Sequence, residues 1–322
     1  MRVLVTGGAG FIGRWVVKQL LDDGHEVSVL DNLSNGDLRN VQSFEVHPGF
    51  KGLVVGDVRD AGVLDHVFDQ DLDLCLHLAA KINVQESLDD PSLTFENDTV
   101  GTFQVLEHCR QNRTKMVFVS SCMVYDRSTQ SGGIRETDNV KPASPYAGAK
   151  LAAESLVASY YHAYGLPTVI VRPFNTYGPF QKSSGEGGVV AIFLQEKLTQ
   201  QPLQIYGDGT QTRDFLYVED CARFITQTGY KASQVAGEVI HAGSGWDISI
   251  NDLAHVIGAG TSQIEHVPHI HLQSEIQKLI CNPTKAKTTL NWEPTVTLEE
   301  GIARTEVWLR RELEVTLSED AD

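Results

Sequence analysis

The 322-residue sequence has no apolar run approaching the roughly 18 residues of a membrane-spanning helix. No charged leader precedes an apolar segment at its start, MRVLVTGG. Neither a membrane span nor a signal peptide is expected. Basic residues are also scarce, with 26 Lys+Arg against 42 Asp+Glu and a net charge of -16. A surface of that sign repels nucleic acid and anionic membranes, so neither is expected as a partner. It also requires that an anionic small molecule be held by local donors against the global field. Cysteine is sparse and scattered: Cys75, Cys109, Cys122, Cys221 and Cys281, with no CxxC spacing. That pattern indicates neither a zinc site nor a disulfide framework, so no metal is expected. Reduced thiols suit a cytoplasmic location.

What the chain does have is an alternation of short apolar runs with amphipathic stretches. RVLVT (2–6), EVSVL (26–30), GLVVG (52–56), LDLCLHLA (72–79), KMVFVSS (115–121) and PTVIVRP (167–173) read as strands covered on both faces. Helical patterns at 11–22, 60–69, 93–111 and 146–164 lie between them. This order predicts an α/β fold with a Rossmann-like, doubly wound parallel sheet. Beyond it the chain is richer in Gly, Pro and polar residues, with helical patterns near 188–200, 218–228, 249–258 and 298–312. The expected division is a dinucleotide-binding domain over 1–178 and a smaller α/β substrate domain over 179–322. Residues 207–243 are expected to return partly to the first domain.

VTGGAGFIG (5–13) joins the first strand to the first helix. Gly7 suits the tight turn, Gly10 lets backbone approach a pyrophosphate, and Gly13 permits close helix–strand packing. Asp31 ends the second strand 18 residues after Gly13, as the dinucleotide fingerprint requires. Asp31 can accept from both adenosine ribose hydroxyls and would repel a 2'-phosphate. DNLSNG (31–36) offers no Arg or Lys, so NAD is expected over NADP. Asp57 has two readings: it bonds the adenine amine, or it caps the helix starting near Asp60.

SPYAGAK (144–150) places Tyr146 and Lys150 four apart, on one face of a helix. A free phenol has a pKa of about 10. Bringing it to about 7 takes roughly 4 kcal/mol, which a neighbouring Lys⁺ and the positive nicotinamide ring can supply in a partly dry site. Tyr146 can then take a proton from a carbinol while NAD takes the hydride.

TGGAGFIG, DNLSNG, GDVRD, HLAA (77–80), SSCMVY (120–125), SPYAGAK, RPFNTYGP (172–179) and YGDGTQTRDFLYVED (206–220) together resemble the extended short-chain dehydrogenase/reductases, over essentially the whole chain. The nearest likeness is to the NAD-dependent nucleotide-sugar epimerases and dehydratases. The resemblance implies Tyr146 as base, Lys150 as its partner on the nicotinamide ribose, and Ser121 on the reacting sugar hydroxyl. It implies cofactor contacts from Phe11, Ile12, Asn32, Asn35, Asp57, Val58, Leu78, Ala79, Ala80, Asn97 and Pro173. Asn175 and Arg213 match substrate positions, Arg213 near the diphosphate, where a guanidinium fork suits an acidic protein. A homodimer is expected through the helices 93–111 and 146–164, with Phe103, Leu106, Leu156, Val157 and Tyr160 in the seam.

Two departures bear on the reaction. Many relatives hold the diphosphate with an Arg in an R-x-G-D segment; HIHLQSEIQK (269–278) has none, leaving His269, His271 or Lys278. The histidines of HVPHIH (266–271) fit no familiar ligand spacing and read as solvated or substrate-facing. Relatives that eliminate water carry Asp-Glu where this chain has Cys122-Met123, both expected to face the substrate. The acid/base for chemistry at C5 is therefore missing. The expected activity is a 4-epimerase acting on a nucleotide-diphosphate sugar, UDP-linked first. The alternatives are a dehydratase or decarboxylase with Cys122 as acid, and a non-catalytic dinucleotide sensor, which would be expected to lose the Tyr/Lys/Ser set.

Overall fold

A computed structural model describes residues 1–126, 132–183, 188–258, 260, 263–268 and 276–319. The first six strands are β1 (Arg2–Thr6), β2 (Glu26–Asp31), β3 (Phe50–Val55), β4 (Leu74–His77), β5 (Lys115–Val119) and β6 (Thr168–Pro173). There follow β7 (Asn175–Tyr177), β8 (Leu203–Tyr206), β9 (Thr212–Tyr217) and β10 (Val239–Ala242). A seven-stranded parallel sheet runs in the order β10-β6-β5-β4-β1-β2-β3. The order reverses between β1 and β4, which opens a crevice at the carboxyl edge.

The inner strands of this sheet bury both faces, whereas β3 at its edge is only partly covered. Val3, Val5, Val117 and Val119 enter one cluster, while Leu4, Met116 and Phe118 enter the cluster on the opposite face. Helices α1 (Phe11–Asp22) and α6 (Val218–Tyr230) cover the first face. Helices α2 (Ala61–Phe68), α3 (Gly101–Asn112) and α4 (Pro145–Tyr164) cover the second. Each such buried aliphatic side chain contributes about 1.5–3 kcal/mol. A third cluster joins α5 (Val189–Leu198), α7 (Ile250–Ile257) and α8 (Leu298–Glu319) to Tyr177, Phe215 and Tyr217. There β9 is the centre of a small sheet with β7, β11 (Asp247–Ser249) and β13 (Lys278–Leu279), while β8 pairs with β12 (Ile264–Val267).

Three differences from the sequence reading have local causes. β10 carries His241 in its middle, which breaks the apolar run. That ring is fully buried, and burial lowers its pKa to about 3. The stretch 93–111 is not one helix: a wider π-type turn at Glu96–Val100 precedes α3 and turns Asn97 and Asp98 inward. Of the residues expected in a subunit seam, Leu106, Val157 and Tyr160 are already inside this chain's own core. Phe103 is 38% exposed and Leu156 is half-buried.

α4 is tied to the sheet by a buried ion pair. Arg172 of β6 donates from Nε and Nη2 to the two Glu154 carboxylate oxygens, at 2.8 and 2.5 Å. Its Nη1 donates to the Tyr125 hydroxyl, which in turn donates to His241 Nε2 at 2.5 Å. Removing one partner of such a pair strands the other charge. Glu154→Ala is therefore expected to lower the unfolding free energy by about 3–5 kcal/mol, read as a urea midpoint shift at unchanged m value. A loss below about 1 kcal/mol would show that the pair does not anchor α4.

Candidate active site

The turn after β1 builds the floor of a cleft of about 300 Å³. Gly7 sits at φ 71°, and a Cβ there would meet Ala79 N at 2.7 Å. A Cβ on Gly13 would lie 2.0 Å from Gly7 O, so only glycine lets α1 cross this close to the turn. Above Gly10 the nearest atom to an added Cβ is Gly7 O at 3.2 Å, leaving that face open to the cleft. Gly10 caps α1 without a side-chain bond, so the first-turn N–H groups and the positive dipole end face the same space. Asp31, 7% exposed, closes one end and accepts from Ala9 N at 3.0 Å and Leu33 N at 2.8 Å. Burial pushes its carboxyl up, against those two N–H groups. These features fit a dinucleotide: glycine backbone for a pyrophosphate and a carboxylate for a ribose diol.

The other end is set by α4. Ser144 caps it by accepting from Ala147 N at 3.2 Å, and Pro145 takes the first helical position. That start places Tyr146, Lys150 and Glu154 along one buried face. With Glu154 held by Arg172, Tyr146 and Lys150 line the cleft beside Ser121. Lys150 donates to Val119 O at 3.1 Å and stands 5.0 Å from the Phe118 ring. Burial lowers its pKa, while Asp98 and Glu154 favour its charged form. Asp98 is itself fully buried, and burial raises its carboxyl to about 6. His77 beneath is held between Thr6 Oγ1 at 2.6 Å and Thr102 Oγ1 at 3.0 Å. Burial first, then Lys150, lowers its pKa to about 3, so it is neutral.

Gly7, Gly10, Phe11, Ile12, Gly13, Asp31, Asn32, Asn35, Val58, Leu78, Ala79, Ala80, Asn97 and Pro173 all line this one cleft with Ser121, Tyr146 and Lys150. Asp57 does not. It takes three hydrogen bonds from Arg59, which holds its carboxyl at about 2, and one from Asn32 Nδ2 at 3.0 Å. It therefore orients Asn32, and the helix cap is Asp60, which accepts from Gly62 N and Val63 N. Cys122 is corrected as well: it does not line the cleft but is 4% exposed in an apolar cluster with Val124, Phe174 and Leu279. Burial pushes its thiol up to about 12. Met123 packs, half-buried, against the same cluster.

Asn175 and Arg213 lie outside the cleft on the paired strands β7 and β9. Asn175 donates to Asp214 O at 3.3 Å, and Arg213 donates to Ile276 O at 2.7 Å. Lys278 stands 3.7 Å from Asp247; His269 and His271 fall outside the described residues. The sequence reading missed Ser120, Gly36, Phe174, Thr176 and Gln181 among the lining residues. Gly36 closes the DNLSNG run already singled out, and a Cβ there would meet the Asp31 carboxylate at 2.9 Å. Gln181 had no readable signal; beside it Lys182 Nζ donates to Asn35 at 2.7 Å and Phe180 stacks 3.5 Å from the Arg14 guanidinium.

The family described as GDP-mannose 4,6 dehydratase matches residues 4–305. The chain belongs to this family. It is an enzyme of the extended short-chain dehydrogenase/reductase class, among the NAD-dependent nucleotide-sugar epimerases and dehydratases. The UDP-glucose 4-epimerase of Mycolicibacterium smegmatis is 36% identical over 315 residues, 96% of this chain and 99% of that protein. The structure of Pal from Bacillus thuringiensis superposes at a TM-score of 0.94 with 59% identity, covering 97% of this chain and 99% of that one. The dTDP-glucose 4,6-dehydratase DesIV of Streptomyces venezuelae, solved with NAD bound, gives 0.89 at 32% identity and 97% of each chain.

Asp31 is the residue expected to discriminate between the two nicotinamide dinucleotides. NAD is expected to bind more tightly than NADP, and Asp31→Ala to narrow the gap in titration calorimetry. Comparable dissociation constants for the two in the parent enzyme would refute that role.

Proposed function

We propose that the enzyme oxidises a nucleotide-diphosphate sugar at C4 and returns the hydride to the opposite face, a 4-epimerisation with a UDP-linked hexose as substrate. The observation that carries this reading is the placement of Tyr146 and Lys150 on one face of α4 beside Ser121, in the cleft that begins at the glycine turn. NAD held by the glycine turn, Asp31 and Lys150 would supply the acceptor and donor for the C4 hydride. Tyr146 takes the C4 hydroxyl proton, oriented by Ser121. The Lys150 ammonium stabilises the phenolate and has further N–H donors for a ribose hydroxyl. Arg213 and Asn175 meet the sugar nucleotide from β9 and β7, and Arg213 answers the electrostatic problem of an anion on an acidic protein. The accessible face of α3 and α4 bearing Phe103 and Leu156 supports a homodimer. Five buried, unpaired cysteines agree with a cytoplasmic setting.

Overall similarity does not choose between epimerase and dehydratase, because relatives of both names stand at 32–36% identity. Residues 122 and 123 favour the epimerase reading. Met123 has no titratable group, and a thiol held near 12 is no base at neutral pH. An epimerase needs neither group. Dehydration with Cys122 as acid is the second reading, carried by the position of Cys122 directly after Ser121, and it would require the buried thiol to be uncovered toward the cleft.

Tyr146→Phe should lower turnover at least about a hundredfold while leaving NAD binding intact. Near-normal turnover would place the base elsewhere. Incubation of a panel of UDP-, GDP-, CDP- and dTDP-sugars in D₂O should show inversion at C4 with no deuterium at C5. Label at C5, or a product lighter by one water, would replace the epimerase reading by dehydration and make Cys122 the first residue to mutate.

A further inference from the structure

Ser120 ends β5 one residue before Ser121. Its N–H still donates to Val171 O of β6 at 2.8 Å, so the strand's alternation runs through it. Val119 faces the α1 side and Phe118 the α4 side, which turns Ser120 toward α4, the side on which Lys150 Nζ stands over the Phe118 ring. The residue is 5% exposed and lines the cleft, yet its hydroxyl has no hydrogen-bond partner among the described residues.

The nearby polar groups of the cleft floor are otherwise engaged. Ser121 Oγ accepts from Met123 N at 3.2 Å, Lys150 Nζ donates to Val119 O, and His77 bonds Thr6 and Thr102 through its two nitrogens. A buried hydroxyl without a partner is unfavourable in a folded protein, and such groups call for a ligand, ion or water. Asp31 and the glycine turn occupy the adenosine and pyrophosphate ends of the cleft. Ser120 lines the cleft with Val119, Tyr146, Lys150 and Pro173, directly after the Val119 carbonyl that accepts from Lys150 Nζ. Asn175 and Arg213, the residues read as meeting the sugar nucleotide, do not line this cleft.

We propose that Ser120 is a cofactor-binding residue whose hydroxyl hydrogen-bonds the nicotinamide half of the dinucleotide, at a polar ring substituent or ribose oxygen. The inference rests on the reading of this cleft as the dinucleotide site. A hydroxyl that is orphaned without ligand and satisfied with it makes a signature that an ordinary structural serine does not. Deleting it removes a penalty from the ligand-free chain and an interaction from the complex.

The test uses the full chain and Ser120→Ala, melted with and without NAD and titrated with NAD and with UDP by calorimetry. The ligand-free variant should melt no lower than the parent. Its NAD dissociation constant should rise about five- to tenfold, the range for one lost hydrogen bond, and its UDP affinity should be unchanged. Unchanged NAD affinity would overturn the proposal and leave the hydroxyl to a water. A lower melting point without NAD would overturn it in favour of a structural role. Weaker UDP binding would assign the hydroxyl to the substrate instead. If the parent itself fails to bind NAD, the reading of the cleft falls, which is distinguishable from a failure of Ser120 alone.

Discussion

Arg172 and Glu154 meet in the interior with side chains only 5% exposed, and the active-site helix is oriented by that contact. A guanidinium taken out of water must have its donors satisfied and its charge matched. Here the carboxylate comes from α4, the hydroxyl acceptor from Tyr125, and Tyr125 leans on His241 of β10. Four separate chain segments are thus held in one register. Tyr146 and Lys150 stand eight and four residues before Glu154, so the rotation that satisfies Arg172 is also the rotation that turns them into the cleft. The segment 120–125 is anchored at its far end by the same guanidinium, which places Ser120 and Ser121 opposite α4.

The second constraint is steric. α1 crosses the end of β1 so closely that Gly13 has no room for a side chain. That approach brings backbone N–H groups and a helix dipole to bear on a ligand without adding a formal charge. In a chain of net charge -16 this matters, because anions must be held by donors that act at contact range. Lys150 supplies one cation inside this cleft, and Lys182 reaches Asn35, which lines it.

Short, nearly continuous apolar runs, the glycine turn, Asp31 at a strand end and Tyr146 four residues before Lys150 are local patterns. Each is dictated by one element's geometry, so the order of strands and helices and most of the lining residues could be read from the chain. β10 escaped because a buried, hydrogen-bonded histidine looks polar in sequence. The seam assigned to Leu106, Val157 and Tyr160 failed because an apolar helix face does not say which neighbour covers it. The cap reading of Asp57 and the substrate-facing reading of Cys122 failed for a related reason: a residue's type is local, but the partner that claims it is not.

By itself the sequence determined a parallel doubly wound sheet, a dinucleotide turn and a Tyr/Lys pair, because helix and strand periodicities and glycine's missing side chain act over a few residues. Only the tertiary structure decided that the Ser120 hydroxyl has no partner among the described residues, that Cys122 is buried in an apolar cluster with a protonated thiol, and that Gln181 lines the same cleft as the glycine turn. Burial and hydrogen-bond satisfaction depend on residues far apart in the chain, and those are set only when the layers pack together.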